Sequence, residues 1–590
     1  MRKILFKILS ISALIIFSTL ISYSQTDIKS LKWNPTMGPF GCDATSFYID
    51  GNGNYWLGTG SSGGVYFSKN KGKSWEERNN GIGPVHIGYI NKMNDSVFIQ
   101  VSEYTFGKSG SPSAWLWNEK SKTWSEIKDE NKAHDIMKRL EENATKNATI
   151  LEKEYPFMNF SPVNTRYSHT DYLAMNWGVY PYTIAWGANM GVYEGYVFSH
   201  ISGFYESSAH WAQINRTFPR DMFKLPAGNV FPDNKKAILL AKSGVYNFDG
   251  NIIKPLPIKN IVATDVRQIV CTKDQILYAL VGESDIWQYK NNKWTCVFNA
   301  YSQHIKRESG SSPAGYDTKL LNLLNDGTIL FCFCGDVWQI DLNGQVKSVI
   351  QSAIVPDSVD NNLKQKLFYT SMARDKGGNY FGVASFIHNY LSTGSKSSEN
   401  VLVKLATLNS TPEIVSTINT TNNWYGYLAF AFNDKAGNTW LKGDEKIYQI
   451  GNGSDTSIYY TTTANRWING FAFAANGDFY YLNGENGIAK WVEADKKWVE
   501  ITTPELEGIQ CIGIDLNNDI YAGTGYTYNV SCGNFKSGKA DGVYKLMGEK
   551  WVKIEGEPNK WILSLGSSYN KGVPIGTSGS GLWFINSSKE

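Results

Sequence analysis

A short unit of strand-like runs and tight turns recurs along this sequence and constrains its fold more than any other feature. In the clearest copy, residues 43–79, four such runs follow one another: 43–50, 55–59, 64–67 and 74–78. The runs are rich in aromatic and β-branched residues, which favour strands. So small a unit buries its apolar faces only by stacking on neighbouring copies. The pattern predicts an all-β chain, a β-propeller of repeated four-stranded blades.

Downstream copies of the unit set its period. The first-turn acids Asp434, Asp478 and Asp515 each precede an apolar run, and they lie 44 and 37 residues apart. This spacing suits a four-stranded blade, and about ten such units fit the chain. One large ring and two propellers both agree with that number.

The N-terminus has the pattern of a secretory signal. Arg2, Lys3 and Lys7 flank an apolar run over 8–21, and small residues occupy Ser22 and Ser24. The apolar run is short for a membrane anchor, the alternative interpretation. We therefore expect residues 1–24 to be removed and the protein to be periplasmic or extracellular, with 25–590 forming the propeller region.

Charge argues against one class of partner. The net charge is +3, from 57 basic and 54 acidic residues, and removal of the signal takes away three basic residues to leave 54 of each. Sequence-independent binding of nucleic acid needs a basic excess, so no nucleic-acid partner is expected. Beyond the signal, no stretch suggests an integral membrane span.

One turn in the first unit carries a recognisable motif. Ser68, Asn70, Gly72, Ser74 and Trp75 follow the spacing Ser-x-Asn-x-Gly-x-Ser-Trp. The segment resembles the Asp-box, or BNR repeat, of sialidase-like propellers, in which the box is a structural turn between the third and fourth strands. The neighbouring Trp-Leu-Gly-Thr and Gly-Val-Tyr runs are similar to propeller repeats of two-component regulators of Bacteroidetes. The resemblance implies a structural role for these five residues and no catalytic one.

The two ends of the chain predict ring closure. The last unit, 561–586, supplies three strands, whereas the other units have four. The strand-like run 31–34 contains Trp33 and would provide the fourth. Pairing of the two ends would remove an open sheet edge.

Long connections are predicted to converge on one face. Turns between first and second strands are short, whereas the segments Glu103–Ala114, Gly382–Asn400 and Thr524–Asp541 and the links between blades are long. Long surface loops on a rigid scaffold often carry function, although loops also lengthen by drift. The longest link, an insertion at 128–160, has Ile136, Leu140 and Ala144 at helical spacing and is predicted to be partly helical.

Aromatic and histidine side chains on these long segments are the candidate ligand-binding residues. Aromatic rings beside hydrogen-bonding groups suit sugar rings, although those between 164 and 218 would also fit a core between blades. The candidates are Tyr104, Phe106, Tyr167, Trp177, Tyr180, Trp186, Trp211, Tyr301, His304, His388, Tyr390, Tyr526 and Tyr528.

The seven cysteines and the histidines give no metal-site spacing, so no metal and no cofactor are expected. Cys511 begins an inner strand and Cys532 lies in the following long loop, which makes a disulfide between them a reasonable prediction in an exported protein.

No nucleophile elbow, phosphate-binding glycine loop or sialidase arginine set is found in the sequence. The leading hypothesis is therefore an exported, non-enzymatic recognition module that binds glycan or protein on the long-loop face. A polysaccharide-degrading glycoside hydrolase or lyase is the alternative, and it requires paired carboxylates across a groove. An envelope scaffold or assembly factor is the third hypothesis.

Overall fold

The computed structural model describes residues between 28 and 587. Its gaps of six residues or more are 141–190, 194–221, 225–236, 299–319, 357–363, 390–395, 419–428, 451–457, 461–469 and 526–539, and shorter gaps interrupt other loops. The described chain contains ten antiparallel sheets of four or five strands, so the predicted β-propeller architecture of about ten units is confirmed.

Seven of these sheets, blades 1 to 7, follow one another along the chain. Blade 1 comprises Val266–Cys271, Leu277–Val281, Asp285–Lys290 and Lys293–Phe298; blade 2 Asn322–Leu323, Ile329–Phe333, Asp336–Ile340 and Val346–Ile350; blade 3 Ala353–Pro356, Lys364–Arg374, Tyr380–Asn389, Lys396–Leu405 and Glu413–Ile418; and blade 4 Phe430–Asn433, Thr439–Lys442, Lys446–Ile450 and Ile458–Tyr460. Blade 5 comprises Phe471–Phe473, Phe479–Asn483, Gly487–Val492 and Lys497–Ile501; blade 6 Ile509–Ile514, Ile520–Thr524, Val543–Met547 and Lys550–Lys553; and blade 7 Ile562–Leu565, Val573–Thr577, Leu582–Ser587 and, as its outermost strand, Leu31–Pro35.

These seven blades form a closed ring. Each blade shares a buried apolar cluster with the next, and the last cluster joins blade 7 to blade 1 through Val266, Tyr289, Tyr569 and Phe584. The strand Leu31–Pro35 pairs antiparallel with Leu582–Ser587 along the outer edge of blade 7. Apolar burial at the blade interfaces therefore holds the ring together.

The other three sheets belong to an inserted unit, residues 41–263, which interrupts the chain between Leu31–Pro35 and blade 1. Its sheets comprise Ala44–Ile49, Tyr55–Thr59, Gly64–Ser68 and Glu76–Glu77; His86–Met93, Ser96–Ser102, Ser113–Asn118 and Thr123–Glu126; and Gly191–Tyr193, Met222–Lys224, Ala237–Ala241, Gly244–Phe248 and Ile253–Pro255. The smaller described elements are a 3₁₀ turn at Ile28–Ser30, a hairpin of Tyr104–Thr105 and Lys108–Ser109, and a helix over 130–140. From the sequence, one large ring and two propellers were both possible. The structure has a ring of seven sheets and an inserted unit of three sheets.

The predicted helical insertion is present over the described part of its range. Ala133, Ile136 and Leu140 lie on one helix face and pack against Tyr89 and Ala114 of the second inserted sheet. These positions are spaced by three and four residues, as the predicted periodicity requires. Ala144 lies outside the described residues.

One turn geometry recurs directly after the inner strand of six blades; in blade 3 the inner strand is Lys364–Arg374, and Ala353–Pro356 pairs only with its start. In blade 3 the N–H of Asp375 bonds the carbonyl of Asn379, and the N–H of Gly378 bonds the carbonyl of Asp375. The same pair of bonds is found at 272–276, 324–328, 434–438, 474–478 and 515–519. The fourth residue of each turn has a positive φ, which explains the frequent glycine there. We call the ring face that carries these turns the turn face.

The segment 68–75, which resembles an Asp-box, forms a compact turn between Gly64–Ser68 and Glu76–Glu77. The Asn70 carboxamide accepts from the Ser74 N–H at 2.9 Å and donates to the Ser74 hydroxyl at 2.7 Å. Ser68 Oγ accepts from the Gly72 N–H, and Trp75 is buried against Phe47. These contacts of the motif lie within the first inserted sheet and its adjoining core.

Candidate functional site

The inserted unit leaves and rejoins the ring on the face opposite the turn face, which we call the loop face. This face carries the connections from second to third strands and the links between blades. The Thr36 N–H bonds the carbonyl of Leu582, the residue that follows the second-to-third turn of blade 7. On the return, the Thr264 carbonyl accepts from the N–H groups of Gly579 and Gly581 in that same turn. The inserted unit is therefore an enlarged link between blades 7 and 1.

The two connections to the inserted unit form a narrow neck. Gly41–Cys42 and Val262–Ala263 pair in parallel, and the Thr264 hydroxyl donates to the Pro39 carbonyl at 3.2 Å. A Cβ at Gly38 would lie 2.4 Å from the Trp294 ring, and one at Gly581 would lie 2.5 Å from Val262. Glycines at these positions allow a close packing that larger residues would prevent.

Blade 3 rises above the rest of the loop face. Its hairpin of Tyr380–Asn389 and Lys396–Leu405 continues in register as far as the pair Asn389 and Lys396. The segment Gly382–Asn400 was predicted to be a long loop, and this prediction was wrong because most of the segment is strand. Each strand of this hairpin has ten residues, whereas the corresponding strands of the other six blades have four to six, so the hairpin extends farther than those described strands.

The starts of the inner strands surround the mouth of the central channel on the loop face. Trp561 directly precedes the inner strand of blade 7, and its indole N–H donates to Gln510 Oε1 of blade 6 at 3.1 Å. Asp265 directly precedes the inner strand of blade 1, and the Ser578 hydroxyl donates to its carboxylate at 3.1 Å. The Ser578 N–H also bonds the Trp561 carbonyl at 3.0 Å. Ser578 thus holds the tryptophan and the aspartate side by side, and we call Asp265, Gln510, Asn559, Trp561 and Ser578 the rim cluster.

The rim cluster combines buried supports with two partly exposed groups. Gln510, Asn559 and Ser578 are almost fully buried, whereas Asp265 and Trp561 are half-buried. Asn559 accepts from the Trp561 N–H at 2.9 Å and donates to the Ser578 carbonyl. The buried members therefore fix the orientation of the two that reach the surface.

Hydrogen bonds and ion pairs hold together the residues that flank the long connection between the second and third strands of blade 6. The Asp541 N–H bonds Thr524 Oγ1 at 2.8 Å, the Tyr544 hydroxyl donates to Asp541 Oδ2, and Lys553 bridges Asp541 and Glu557. Burial and the bond to Asp541 raise the pKa of Tyr544 to about 12. Burial opposes the charge on Lys553, but hydrogen bonds to Glu557 and Asp541 raise its pKa overall. Thr524 and Asp541, the described residues on either side of 526–539, are therefore held together on the loop face.

A charged pocket of about 510 Å³ lies on the turn face between blades 2 and 3. Its charged side chains are paired with other protein groups: Arg374 contacts Asp326 at 2.5 Å, and Lys376 bonds Asn438 at 3.0 Å. Although burial opposes it, hydrogen bonds from Thr328 and Arg374 lower the pKa of Asp326. These contacts join neighbouring blades, so the pocket is a structural seam.

The structure describes the backbone of two of the predicted ligand-binding residues. Tyr104 lies in the short hairpin of the inserted unit, and His388 lies in the raised hairpin of blade 3, where it pairs with Ser397. The others lie outside the described residues: Phe106, Tyr167, Trp177, Tyr180, Trp186, Trp211, Tyr301, His304, Tyr390, Tyr526 and Tyr528.

The structure does not support the predicted disulfide between Cys511 and Cys532 at the position of Cys511. Cys511 carries a free, fully buried thiol, and its sulfur lies 3.9 Å from the carbonyl oxygens of Gly523 and Ile562. The side chain thus points into the interface between blades 6 and 7, and not toward the long loop. Cys532 lies outside the described residues.

Within the described part of the chain, no group of three or more His, Cys, Asp or Glu residues is arranged to hold a metal ion. No helix in that part is both long and apolar enough to cross a membrane.

Sequence reasoning missed the rim cluster because it searched the long loops. Asp265, Gln510 and Trp561 lie at or directly before the starts of inner strands, Asn559 lies in the link before blade 7, and Ser578 lies in a short turn. Asp265 and Trp561 each directly precede an inner strand, but the residues at that position in the other blades differ, so no local sequence pattern marks them.

No family model and no curated protein matches the chain. Among solved structures, the chain is similar to virginiamycin B lyase from Staphylococcus aureus, with 11% identity over 55% of this chain and 95% of that chain and a TM-score of 0.35. It is also similar to the extracellular domain of a putative hybrid two-component system from B. thetaiotaomicron, with 13% identity over 94% of this chain and 58% of that chain and a TM-score of 0.22. The WD40 propeller domain of Doa1 matches at 12% identity, 55% and 94% coverage and a TM-score of 0.33. These are likenesses of fold alone.

Proposed function

We propose that this protein is an exported, non-enzymatic recognition module that binds glycan or protein on the loop face of its ring. One observation carries the proposal: the inserted unit, the raised hairpin of blade 3 and the rim cluster all occupy the same face. On the opposite face, six blades carry the same five-residue turn. Elaboration of one face of a rigid scaffold is typical of binding proteins.

The chemistry of the rim cluster supports recognition. A tryptophan ring held in a fixed orientation offers apolar contact area at little entropic cost, and an adjacent carboxylate accepts hydrogen bonds. Residues 1–24 have a signal pattern, and so we propose a periplasmic or extracellular site of action.

The direct test uses residues 25–590 on glycan arrays and in pull-downs from an envelope fraction. A variant in which a two-residue turn replaces 387–398 removes the raised end of the blade 3 hairpin. The matched control replaces Lys273 and Asp274, exposed residues of a turn-face turn, by alanine. The proposal expects binding by the parent and the control and weaker binding by the hairpin variant. Binding by none, or binding lost only in the turn-face control, would overturn it.

The bound glycan is also recovered and sized after prolonged incubation. An unchanged chain length is expected of a recognition module. Shortened products would instead identify a hydrolase or lyase.

A further inference from the structure

Structural and outward positions alternate in the turn between the third and fourth strands of the first inserted sheet. The structural positions are 68, 70, 72, 74 and 75, which hold the motif and its hydrogen bonds. The positions between them are Lys69, Lys71 and Lys73, and all three side chains are exposed. Lys71 has a φ of 56°, a conformation in which asparagine or glycine is favoured. The fold of the turn therefore does not require lysine at these positions.

The three lysines of this turn form a local excess of positive charge. Among the described residues, no carboxylate lies within ion-pairing distance of them. Of the two nearby acids, Glu76 accepts from Arg78 Nε at 3.1 Å, and Glu77 accepts from Asn79 at 2.9 Å. Residues 68–79 contain four basic and two acidic residues, an excess of +2, whereas residues 25–590 as a whole are formally neutral.

The corresponding turns of two other sheets pair their lysines with acids. In the second inserted sheet, Lys122 forms an ion pair with Glu119. In blade 5, Lys497 Nζ lies 3.2 Å from Asp495 Oδ2 at the end of the turn. A turn at this place in a sheet thus accommodates acids beside its lysines, and the turn over 69–75 has none.

Hydrogen bonds hold the backbone that carries the three lysines. The Gly72 N–H bonds Ser68 Oγ at 2.9 Å, the Ser74 N–H bonds Asn70 Oδ1 at 2.9 Å, and the Lys73 N–H bonds the Asn70 carbonyl at 3.3 Å. Successive lysines are two residues apart, so their Cα atoms lie at most about 7 Å from each other. Three ammonium groups are therefore presented together on a fixed backbone, which lowers the entropy lost when a multiply charged ligand binds.

From this arrangement we infer that the inserted unit binds an acidic polysaccharide through Lys69, Lys71 and Lys73. Each ammonium group is a compact charge with three hydrogen-bond donors, which suits the anionic groups carried by successive sugars of such a chain. The inference goes beyond the proposed function, because this surface uses neither the rim cluster nor the raised hairpin of blade 3.

Other polyanions fit this surface less well. Anionic membranes bind clusters of about four to eight basic residues, and apolar side chains beside the cluster insert into the lipid. Single-stranded nucleic acid stacks its bases on exposed aromatic rings. The turn has three lysines, and its aromatic residue, Trp75, is 6% exposed and packs against Phe47. Its chemistry is therefore that of charge alone, as an acidic polysaccharide requires.

The test measures binding of residues 25–590 to polygalacturonate, dextran sulfate, unmodified dextran and vesicles that contain phosphatidylglycerol. One variant combines Lys69→Gln, Lys71→Gln and Lys73→Gln. These side chains are exposed, so the variant should unfold at the same temperature as the parent.

The matched control combines Lys293→Gln, Lys347→Gln and Lys550→Gln. These lysines are also exposed, and they lie on the outer strands of blades 1, 2 and 6. Both variants lose three positive charges, so only the location of the lost charges differs.

The inference expects the parent and the control to bind both acidic polysaccharides with equal affinity and to leave unmodified dextran unbound. The turn variant should bind the acidic polysaccharides about tenfold more weakly or less. Raising the salt from about 50 to about 200 mM should weaken binding of the parent about tenfold, because three charge contacts are screened, and should affect the turn variant much less.

Four outcomes would overturn the inference. The parent could fail to bind acidic polysaccharides, or the turn variant could bind them as tightly as the parent does. Equal losses in the turn variant and the control would show that binding follows net charge alone, and a preference for the vesicles would give the surface another ligand. The proposed function is tested separately by the variant that shortens 387–398, which keeps all three lysines of the turn.

Discussion

Asn322 and Asn433 lie on the inner strands of blades 2 and 4, which flank blade 3, and the two residues exchange two hydrogen bonds at its inner edge. The Asn433 N–H donates to Asn322 Oδ1 at 3.0 Å, and Asn322 Nδ2 donates to Asn433 Oδ1 at 3.2 Å. Asn433 also donates to the Arg374 carbonyl and accepts from the Arg374 N–H, and Asn322 donates to the Met372 carbonyl. Two buried carboxamides thus tie blades 2, 3 and 4 together at the centre.

Replacing Asn433 by alanine should destabilise the ring. The change removes the Asn433 carboxamide, so the Arg374 N–H and carbonyl both lose their side-chain partner and Asn322 Nδ2 keeps only the Met372 carbonyl. Each orphaned group costs about 1–3 kcal/mol. The urea midpoint of residues 25–590 should fall accordingly. Asn517→Ala, at an exposed turn position, should change the stability by less than about 0.5 kcal/mol. Equal midpoints for the two variants would show that the network contributes nothing.

Removing the Tyr369 hydroxyl should stabilise the protein. Tyr369 is 1% exposed in the core between blades 2 and 3, and its hydroxyl has no hydrogen-bond partner among the described residues. Tyr369→Phe should therefore gain about 1 kcal/mol, the cost of burying an unbonded hydroxyl. Tyr278→Phe is the matched opposite case, because Tyr278 accepts from Gln288 at 2.7 Å and its loss should destabilise. Thermal unfolding should show a higher melting temperature for Tyr369→Phe and a lower one for Tyr278→Phe than for the parent.

Tyr369 should also make the stability of the folded protein depend on pH in the alkaline range. Burial, with the nearby Cys332 and Asp336, raises its pKa from 10.0 to about 12. Between these values the unfolded chain loses the proton and the folded chain keeps it, so stability falls as pH rises from about 10 to about 12. The stability difference between Tyr369→Phe and the parent should widen over that window. If the stability difference between the two proteins does not change with pH, the pKa of Tyr369 is not raised in the folded protein.

Deleting Leu31–Pro35 should open the ring. These residues form the outermost strand of blade 7, and the Trp33 indole N–H donates to the Glu555 carbonyl of the link from blade 6. The deletion exposes the edge of Leu582–Ser587, and unpaired edges promote aggregation. The shortened chain should unfold at lower temperature and be cleaved by proteases near residues 582–587. Unchanged proteolysis would show that the strand is dispensable.

Cys511 should react with alkylating agents only after unfolding. Its thiol is fully buried, and burial raises its pKa, so little thiolate is available to attack. Mass spectrometry of native and denatured protein would show this. Detection of a disulfide-linked peptide pair that contains Cys511 and Cys532 would instead show that the predicted disulfide forms.

The sequence was sufficient to predict the blades because their turns are local. A positive φ at the fourth turn position and an Asp or Asn that bonds its own turn, as in 375–379 and 434–438, leave a readable pattern. The inserted unit was not separable in this way, because its sheets at 44–126 carry the same repeat as the ring. Only packing between blades distinguishes them.

The site was harder to predict because its contacts are distant in sequence. Asp265 and Ser578 are 313 residues apart, and Gln510 and Trp561 are 51 apart. Aromatic content directed the prediction to the long loops, whereas the rim cluster lies at strand starts, in a link and in a short turn. Their proximity follows from ring closure between blades 7 and 1, which no local pattern encodes.

The central claim, recognition on the loop face, is tested most directly by hydrogen exchange of residues 25–590 with and without saturating ligand. The account predicts slower exchange at the starts of the inner strands, 265–268, 509–511 and 561–563, and in the raised hairpin of blade 3. It predicts no change at the turns 324–328, 375–379 and 434–438. Protection confined to those turns would contradict it.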